Sequence, residues 1–235
     1  MNEQFSRYIA LIGEEDFNKI ARSNILIFGL GGVGGQVVET LARSGVSNFT
    51  LVDADKVDVS NINRQIIATN ETIGEYKTEV FKKRILAINN RAEVHLISKF
   101  VLPNDLEEID FKSYDYVVDC IDTVTSKIAI ICKAKETNIP VISALGAGNR
   151  IDPSKLAITD IYKTTNDPLA KTMRHELRKR NIDSLKVVFS LEESKNVIVD
   201  NNNGRHSPAS SAFVPSAMGI YIASEIIKDL TKKAY

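Results

Sequence analysis

Cysteine and tryptophan are scarce in this chain, which has two cysteines and no tryptophan among 235 residues. The two thiols, Cys120 and Cys132, exclude a disulfide scaffold and cannot supply the four thiolates of a structural zinc centre. We therefore expect no zinc, and a reducing cytoplasmic location. No cysteine follows Cys132, which excludes a thiolate nucleophile from the C-terminal third.

The chain also lacks an excess of charge of either sign. Lys and Arg total 30, Asp and Glu total 30, and the formal net charge is +0. A global basic field that attracts nucleic acid is absent, whereas a local basic patch stays open. The N-terminal stretch has no basic region leading into an apolar core, so no secretory signal is expected.

Long uninterrupted hydrophobic runs are missing as well. The most apolar late stretch, residues 213–230, contains Glu225, Lys228 and Asp229, whereas a membrane span carries about 20 mostly apolar residues. We predict a packed amphipathic helix there, with peripheral membrane contact as the minor alternative.

Short apolar runs alternate with helical patterns along most of the chain. This alternation predicts parallel strands joined by right-handed helical crossovers. Predicted strands are residues 25–28, 49–52, 94–97, 116–118, 140–142, 156–162 and 187–189, and predicted helices are 2–22, 35–44, 78–88, 127–137, 168–180 and 213–232. The fold class is α/β, a doubly wound Rossmann-like sheet in one domain over residues 1–235. We assign residues 1–150 to a nucleotide-binding core and 151–235 to a modified, substrate-facing part with a mobile loop at about 192–211.

A glycine-rich loop follows the first predicted strand. Its sequence, GLGGVG over residues 29–34, allows a tight turn and a close approach of backbone amides to phosphate oxygens at a helix N-terminus. Asp53 ends the second predicted strand, at the spacing expected for a carboxylate that binds ribose hydroxyls. By itself the loop predicts only a nucleotide, and a purely structural glycine turn is the alternative.

Charged residues after later strands indicate which nucleotide is bound. The carboxyl ends of parallel strands line one crevice, so Arg64, Lys77 and Asp122 are expected to converge although they are distant in sequence. Arg64 and Lys77 would neutralise a triphosphate, Asn61 would hold it by hydrogen bonds, and Asp122 would bind Mg²⁺. Hydride transfer needs no such cluster, and this favours ATP over NAD.

The segments GLGGVG, DADKVDVSNINRQ, GEYK and DCIDT resemble the adenylation core of the ubiquitin-activating enzyme superfamily, which includes the ThiF and MoeB types. The resemblance implies ATP contacts from the glycine loop and from these later segments. They are Gly29, Gly31, Gly32, Gly34, Asp53, Asp55, Ser60, Asn61, Asn63, Arg64, Gln65, Lys77, Asp122 and Thr123. Thr123 stands where relatives often have Asn. The implied catalytic residues are Arg64, Lys77, Asp122 and Arg7, with Arg7 reaching the partner subunit's site in a homodimer; a solvated helix charge is the alternative for Arg7.

Later segments narrow the resemblance to one branch. SALGAGNRIDP at 143–153, DIYKT at 160–164, the stretch from Asp167 to Arg174 and VVFS at 187–190 resemble the tRNA threonylcarbamoyladenosine dehydratase family, over about Phe5 to Glu192. The resemblance implies that ATP activates the carboxylate of a modified adenosine in tRNA, after which intramolecular ring closure removes water. Such chemistry needs no protein nucleophile. The expected nucleic-acid partner is tRNA and not DNA.

A locally basic segment is a candidate tRNA contact. The segment from Lys163 to Lys186 contains seven basic and three acidic residues, which gives it a net charge of +4. Lys171, Arg174 and Arg178 share one predicted helix face, and we expect these three and Lys163 to contact tRNA. A merely solvated helix face is the alternative.

Two other functions stay open on the sequence alone. The glycine loop also suits an NAD-dependent oxidoreductase, and family association allows a non-catalytic adaptor for a cysteine desulfurase or sulfur-acceptor protein. Nucleotide preference separates the first from the ATP enzyme, and ATP consumption separates the second. The three histidines lack metal-ligand spacing, and only His175 merits a test as a proton carrier.

Overall fold

The computed structural model describes residues 3–195, 197–200 and 206–232. Its α-helices are Ser6–Ile12 (α1), Glu14–Arg22 (α2), Gly32–Arg43 (α3), Lys77–Ile88 (α4), Val124–Glu136 (α5), Pro168–Arg178 (α6) and Phe213–Thr231 (α7). Its strands are Asn24–Phe28 (β1), Asn48–Val52 (β2), Glu93–Ile97 (β3), Tyr116–Asp119 (β4), Val141–Ala144 (β5), Leu156–Asp160 (β6), Lys186–Ser190 (β7), Ile198–Asp200 (β8) and His206–Pro208 (β9). Short 3₁₀ turns connect several of these elements.

Seven strands form one sheet in the order β3-β2-β1-β4-β5-β7-β6. All neighbours pair in parallel except β6, which runs antiparallel to β7 at the edge. Helices cover both faces, so the predicted α/β doubly wound class is confirmed. The strand order reverses between β1 and β4, and this switch point is where open α/β sheets place their ligand crevice.

The single helix predicted over residues 2–22 is wrong in its middle, and residue 2 lies outside the described residues. Gly13 has φ +91° and divides α1 from α2, a conformation that side chains with a Cβ rarely adopt. The bend lets the Phe5 and Phe17 rings pack against each other with centroids 5.4 Å apart. Both rings are buried, and their packing accounts for the break between α1 and α2 at Gly13.

The last third differs from the prediction in two further places. The strand predicted over 156–162 ends at Asp160, because the Asp160 carboxylate accepts a hydrogen bond from the Tyr162 N–H (2.8 Å) and starts a 3₁₀ turn. The loop predicted over 192–211 contains the β8–β9 hairpin in its described part. Residues 196 and 201–205 of that loop lie outside the described residues.

Helix α7 packs into the core, as predicted for residues 213–232. A Cβ on Gly219 would approach the Val33 carbonyl oxygen to 2.5 Å, so α7 lies directly against α3. Met218, Ile222 and Ile226 are buried on the same side of α7. Within the described ranges, no helix combines the length and the apolar character that crossing a membrane requires.

Candidate nucleotide site at the carboxyl edge of the sheet

A cavity of about 670 Å³ lies at the switch point, beyond the carboxyl ends of β1, β2 and β4. The polar part of its wall contains Gly31 and Gly32 of the glycine loop with Arg64, Gln65 and Lys77. The apolar part is formed by Phe28, Val52, Val101 and Ile130, which belong to one buried hydrophobic cluster. Asp53 and Asp122 also line the cavity. The cavity thus has the size and the mixed polar and apolar wall of a nucleotide site.

The glycine loop is shaped by two close approaches. Gly29 has φ +85°, and a Cβ there would lie 2.7 Å from the Cys120 carbonyl oxygen. A Cβ on Gly34 would lie 1.8 Å from the Gly29 carbonyl oxygen, so only glycine allows α3 to start this close to β1. Helix α3 begins at Gly32 with no side-chain cap on its first N–H groups. Those N–H groups and the positive end of the helix dipole suit phosphate oxygens.

Asp53 ties the end of β2 to the glycine loop. Its Oδ2 accepts a hydrogen bond from the Leu30 N–H (2.6 Å), and its Oδ1 accepts one from the Asp55 N–H (2.8 Å). Burial raises the pKa of Asp53, although the charge of Lys77 and the two amide donors oppose this. Each oxygen keeps acceptor capacity, which suits the two hydroxyls of a ribose.

Two cations reach the polar part of the wall from different segments. Lys77 starts α4 and is buried, and its Nζ donates to Asp55 Oδ2 at 2.8 Å. Arg64 donates from Nη1 to the Ser60 carbonyl oxygen and to Asn63 Oδ1, both at 2.9 Å. Burial lowers the pKa of Arg64, yet a guanidinium keeps its charge at neutral pH. A polyanion in the cavity would therefore meet two positive charges.

Not all predicted nucleotide residues reach the cavity wall. Those in the wall are Gly29, Gly31, Gly32, Asp53, Asp55, Asn61, Arg64, Gln65, Lys77, Asp122 and Thr123. Ser60 and Asn63 lie outside this wall and act on Arg64, and Gly34 lies behind the loop. Arg7 is exposed on α1 and is not part of this wall.

A buried ion pair supports the loop that carries Asp122. Lys127 Nζ lies 2.8 Å from Asp119 Oδ2, and neither side chain has any exposed area. Lys127 also donates to the Ala144 and Ile121 carbonyl oxygens, at 2.9 and 3.1 Å. The Ser143 hydroxyl donates to Asp119 Oδ2 at 2.6 Å. This network fixes the β4–α5 loop to the end of β5.

The carboxylate of Asp122 fits a magnesium ion that arrives with a nucleotide. Asp122 is exposed in the cavity wall, and Thr123 donates to its Oδ1 over a long 3.4 Å contact. The described residues contain no group of three or more His, Cys, Asp and Glu that could hold a metal ion. One carboxylate completed by phosphate oxygens and water is a donor set that Mg²⁺ commonly uses.

The cavity contains residues that the sequence analysis missed. Lys99, Phe100 and Val101 follow β3, and Ser126 and Ile130 lie one helical turn apart on α5. The rule that strand ends line one crevice applies to β3 as it does to β2 and β4. Applied to β3, the rule predicts Lys99–Val101 in the cavity wall.

The predicted basic face on α6 divides into two kinds of residue. Lys163, Lys171 and Arg178 are exposed, with the Arg178 guanidinium 5.1 Å from the centre of the Tyr162 ring. Arg174 is half-buried, and its Nη1 donates to the Thr164 hydroxyl and to the Thr164 carbonyl oxygen. Arg174 thus holds the turn before α6, and three of the four predicted cations remain on the surface.

Comparison with known proteins agrees with this site. The ThiF family model matches residues 5–234. The chain is 38% identical over 245 residues to a tRNA threonylcarbamoyladenosine dehydratase of Bacillus subtilis, covering 99% of this chain and 96% of that protein. Crystal structures of the E. coli tRNA N6-threonylcarbamoyladenosine dehydratase TcdA in complex with AMP and with ATP give TM-scores of 0.89 and 0.87, at 32% identity and over 97% of this chain and 94% of theirs. These similarities favour neither an oxidoreductase nor an adaptor. The chain belongs to the ThiF family, and within it to the tRNA threonylcarbamoyladenosine dehydratases.

Proposed function

We infer that this protein is an ATP-dependent tRNA threonylcarbamoyladenosine dehydratase. It activates the carboxylate of the modified adenosine with ATP, and ring closure within the modification then removes water. The observation that carries this conclusion is the convergence of Arg64, Lys77 and Asp122 with the glycine loop on one cavity. The near full-length similarity to named dehydratases supports it.

The cavity supports one orientation of ATP. The phosphates would lie at the glycine loop and the two cations, the ribose at Asp53, and the base against the apolar part of the wall. Asp55 orients Lys77 through their 2.8 Å contact, and Ser60 and Asn63 orient Arg64. Mg²⁺, when bound at Asp122, neutralises phosphate charge.

In the activation step, a carboxylate oxygen attacks a phosphorus atom of ATP, and the P–O bond to the remainder of ATP breaks. The carboxylate oxygen can then leave the carbonyl carbon together with the phosphorus group it has gained. Arg64 and Lys77 stabilise the negative charge that develops on the transferred phosphorus group. A nitrogen or oxygen of the same modification then attacks the activated carbonyl carbon, and the phosphate-linked oxygen departs. Because the attack is intramolecular, the protein contributes mainly positioning. This agrees with the absence of any cysteine after Cys132.

The test of the proposed function is a reaction with defined components. The protein is incubated with ATP, Mg²⁺ and threonylcarbamoylated tRNA, and the digested nucleosides are analysed by mass spectrometry. We expect loss of one water from the modified adenosine, dependent on ATP. Unchanged nucleoside would contradict the proposal. Tight NAD binding that Mg²⁺-ATP does not affect would favour the oxidoreductase, and partner binding without ATP consumption would favour the adaptor.

We also expect the reaction to take place in the reducing cytoplasm, where cysteines remain free thiols. Cys120 and Cys132 are free thiols, and burial raises the pKa of both. A thiol that stays protonated is a poor nucleophile, which argues against a sulfur-carrying role for either cysteine. A cysteine desulfurase or sulfur-acceptor partner remains a prediction from family association.

We also propose that the active form is a homodimer in which Arg7 completes the partner subunit's site. Two features of α1 support this. Arg7 is exposed and is not part of the cavity wall. Leu11, one turn later on the same helix face, is 79% exposed. An exposed leucine beside an arginine suits a surface that a second subunit covers.

Complementation tests the role of Arg7. The Arg7→Ala and Asp122→Ala variants are each expected to be inactive, because each removes one residue from every composite site. After subunit exchange, half of the dimers carry one intact site, so about a quarter of the sites regain activity. Turnover of the mixture is measured against each variant alone. Failure of the mixture to exceed the separate variants would contradict action in trans.

The exposed cations near α6 are proposed to contact the tRNA backbone. Changing Lys171 and Arg178 together to glutamine should weaken tRNA binding and lower the slope of log affinity against log salt by about 2. Arg91 and Lys112, which are exposed at the amino ends of β3 and β4, provide the matched control pair. Equal affinity and slope for both double variants and the unmodified protein would contradict the contact. Arg174 is left unchanged because it holds the Thr164 turn.

A further inference from the structure

Two buried polar atoms in the cavity wall have no hydrogen-bond partner among the described residues. They are Gln65 Oε1 and Ser126 Oγ. Burial of an unpaired polar atom is costly, and an unpaired atom in a native structure calls for a physical explanation. Gln65 belongs to the polar part of the wall, where a nucleotide contact is already proposed. The function described so far assigns nothing to Ser126.

Ser126 lies one helical turn before Ile130, which belongs to the apolar part of the cavity wall. It is the third residue of α5 and is 3% exposed. Ile130 lies one helical turn further along α5 and lines the same cavity with Phe28, Val52 and Val101. A serine in the first turn of a helix often bonds to nearby backbone, but this hydroxyl has no such partner. The fold therefore leaves one hydroxyl unpaired beside an apolar surface.

We propose that the Ser126 hydroxyl forms a hydrogen bond to the edge of the adenine base and helps to select ATP. This inference rests on the proposed ATP-dependent function. The flat faces of a purine suit the apolar walls, whereas its edge carries an exocyclic amine and ring nitrogens. A hydroxyl both donates and accepts, so either kind of edge atom satisfies it. Asp53 and the glycine loop suit the ribose and the phosphates, so the base is the part of ATP left for the apolar part of the wall beside Ser126.

The effect of Ser126→Ala on stability separates this role from a structural one. Removing an unpaired hydroxyl breaks no hydrogen bond within the protein, so the melting temperature without nucleotide should be unchanged or higher. The affinity for ATP should fall about 5-fold to 10-fold, the value of one hydrogen bond. Thr125→Ala is the matched control, because Thr125 is the preceding residue of α5 and is exposed. That control should bind ATP with unaltered affinity.

Nucleotide analogues identify the atom that Ser126 contacts. Purine riboside triphosphate lacks the exocyclic amine, and 1-deaza-, 3-deaza- and 7-deaza-ATP each lack one ring nitrogen. Calorimetry should show one of these analogues binding the unmodified protein more weakly than ATP does. The Ser126→Ala variant should bind that analogue and ATP with similar affinity.

Three outcomes would overturn the inference. Ser126→Ala binding ATP as tightly as the unmodified protein would overturn it alone. A lower melting temperature without nucleotide, with equal losses of affinity for ATP and every analogue, would assign Ser126 a structural role instead. Unmodified protein that binds no ATP would overturn the proposed function as well, so the two failures are distinguishable.

Discussion

Replacing Asp122 by asparagine is expected to lower the rate of tRNA dehydration at least about 100-fold. The substitution keeps the shape of the side chain but removes the charge that would hold Mg²⁺ against the nucleotide. The effect should fall on catalysis and not on folding, because Asp122 is exposed and its contact with Thr123 is long, at 3.4 Å. The melting temperature should therefore stay close to that of the unmodified protein.

Two measurements distinguish the role of Asp122 from a general loss of charge. Nucleoside mass spectrometry follows turnover. In a magnesium titration, the residual activity of Asp122→Asn should reach half-saturation at a higher magnesium concentration than that of the unmodified protein. Asp183→Asn is the control, because Asp183 is an exposed carboxylate before β7, near the amino end of that strand. Normal turnover in Asp122→Asn, or an equal loss in Asp183→Asn, would contradict the assignment.

Replacing Lys127 by methionine is expected to cost about 3–5 kcal/mol of the free energy of unfolding. Asp119 has no exposed area, and the substitution would leave its carboxylate buried without a cation. The Lys127 hydrogen bonds to Ala144 and Ile121 would be lost as well. Urea denaturation measures the effect. Lys133→Met on the same helix is the control, and since its partner Glu107 is 73% exposed, its cost should stay below about 1 kcal/mol.

A double variant separates stability from positioning. Lys127→Met with Asp119→Asn removes both charges and keeps a side chain that still accepts the Ser143 hydrogen bond, so much of the lost stability should return. Turnover should remain low, because the loop that carries Asp122 stays detached from β5. Full activity in the double variant would show that Lys127 contributes stability alone.

The conserved geometry of parallel sheets is what made the site predictable from sequence. Strands that run in parallel bring their carboxyl ends to one edge, so Arg64, Lys77 and Asp122 converge in one cavity although Arg64 and Asp122 are 58 residues apart in sequence. The same rule, applied to β3, places Lys99–Val101 in the cavity wall as well. The position of these three residues is therefore also contained in the order of strands along the sequence.

Two single side chains, Ser126 and Arg174, have surroundings that differ from the prediction. A helix was predicted over 127–137, which left Ser126 in the preceding loop. The helix of the structure begins three residues earlier, at Val124, and its first turn places Ser126 in the cavity wall. Arg174 has the helical spacing of a surface cation, yet the Thr164 turn captures it. In both cases the local pattern was correct for a helix but did not specify the neighbours of one side chain.

The amino-acid sequence by itself determined the fold class, the glycine loop and the set of charged residues that line one cavity. Strand periodicity and the geometry of glycine are local properties, so they can be read along the chain. Tertiary structure alone decided that Ser60 and Asn63 hold Arg64, that Lys127 is buried with Asp119, and that the Ser126 hydroxyl is left unpaired. A hydrogen-bond partner is fixed by atoms that packing brings from elsewhere in the chain, and the spacing of residues carries no record of that packing.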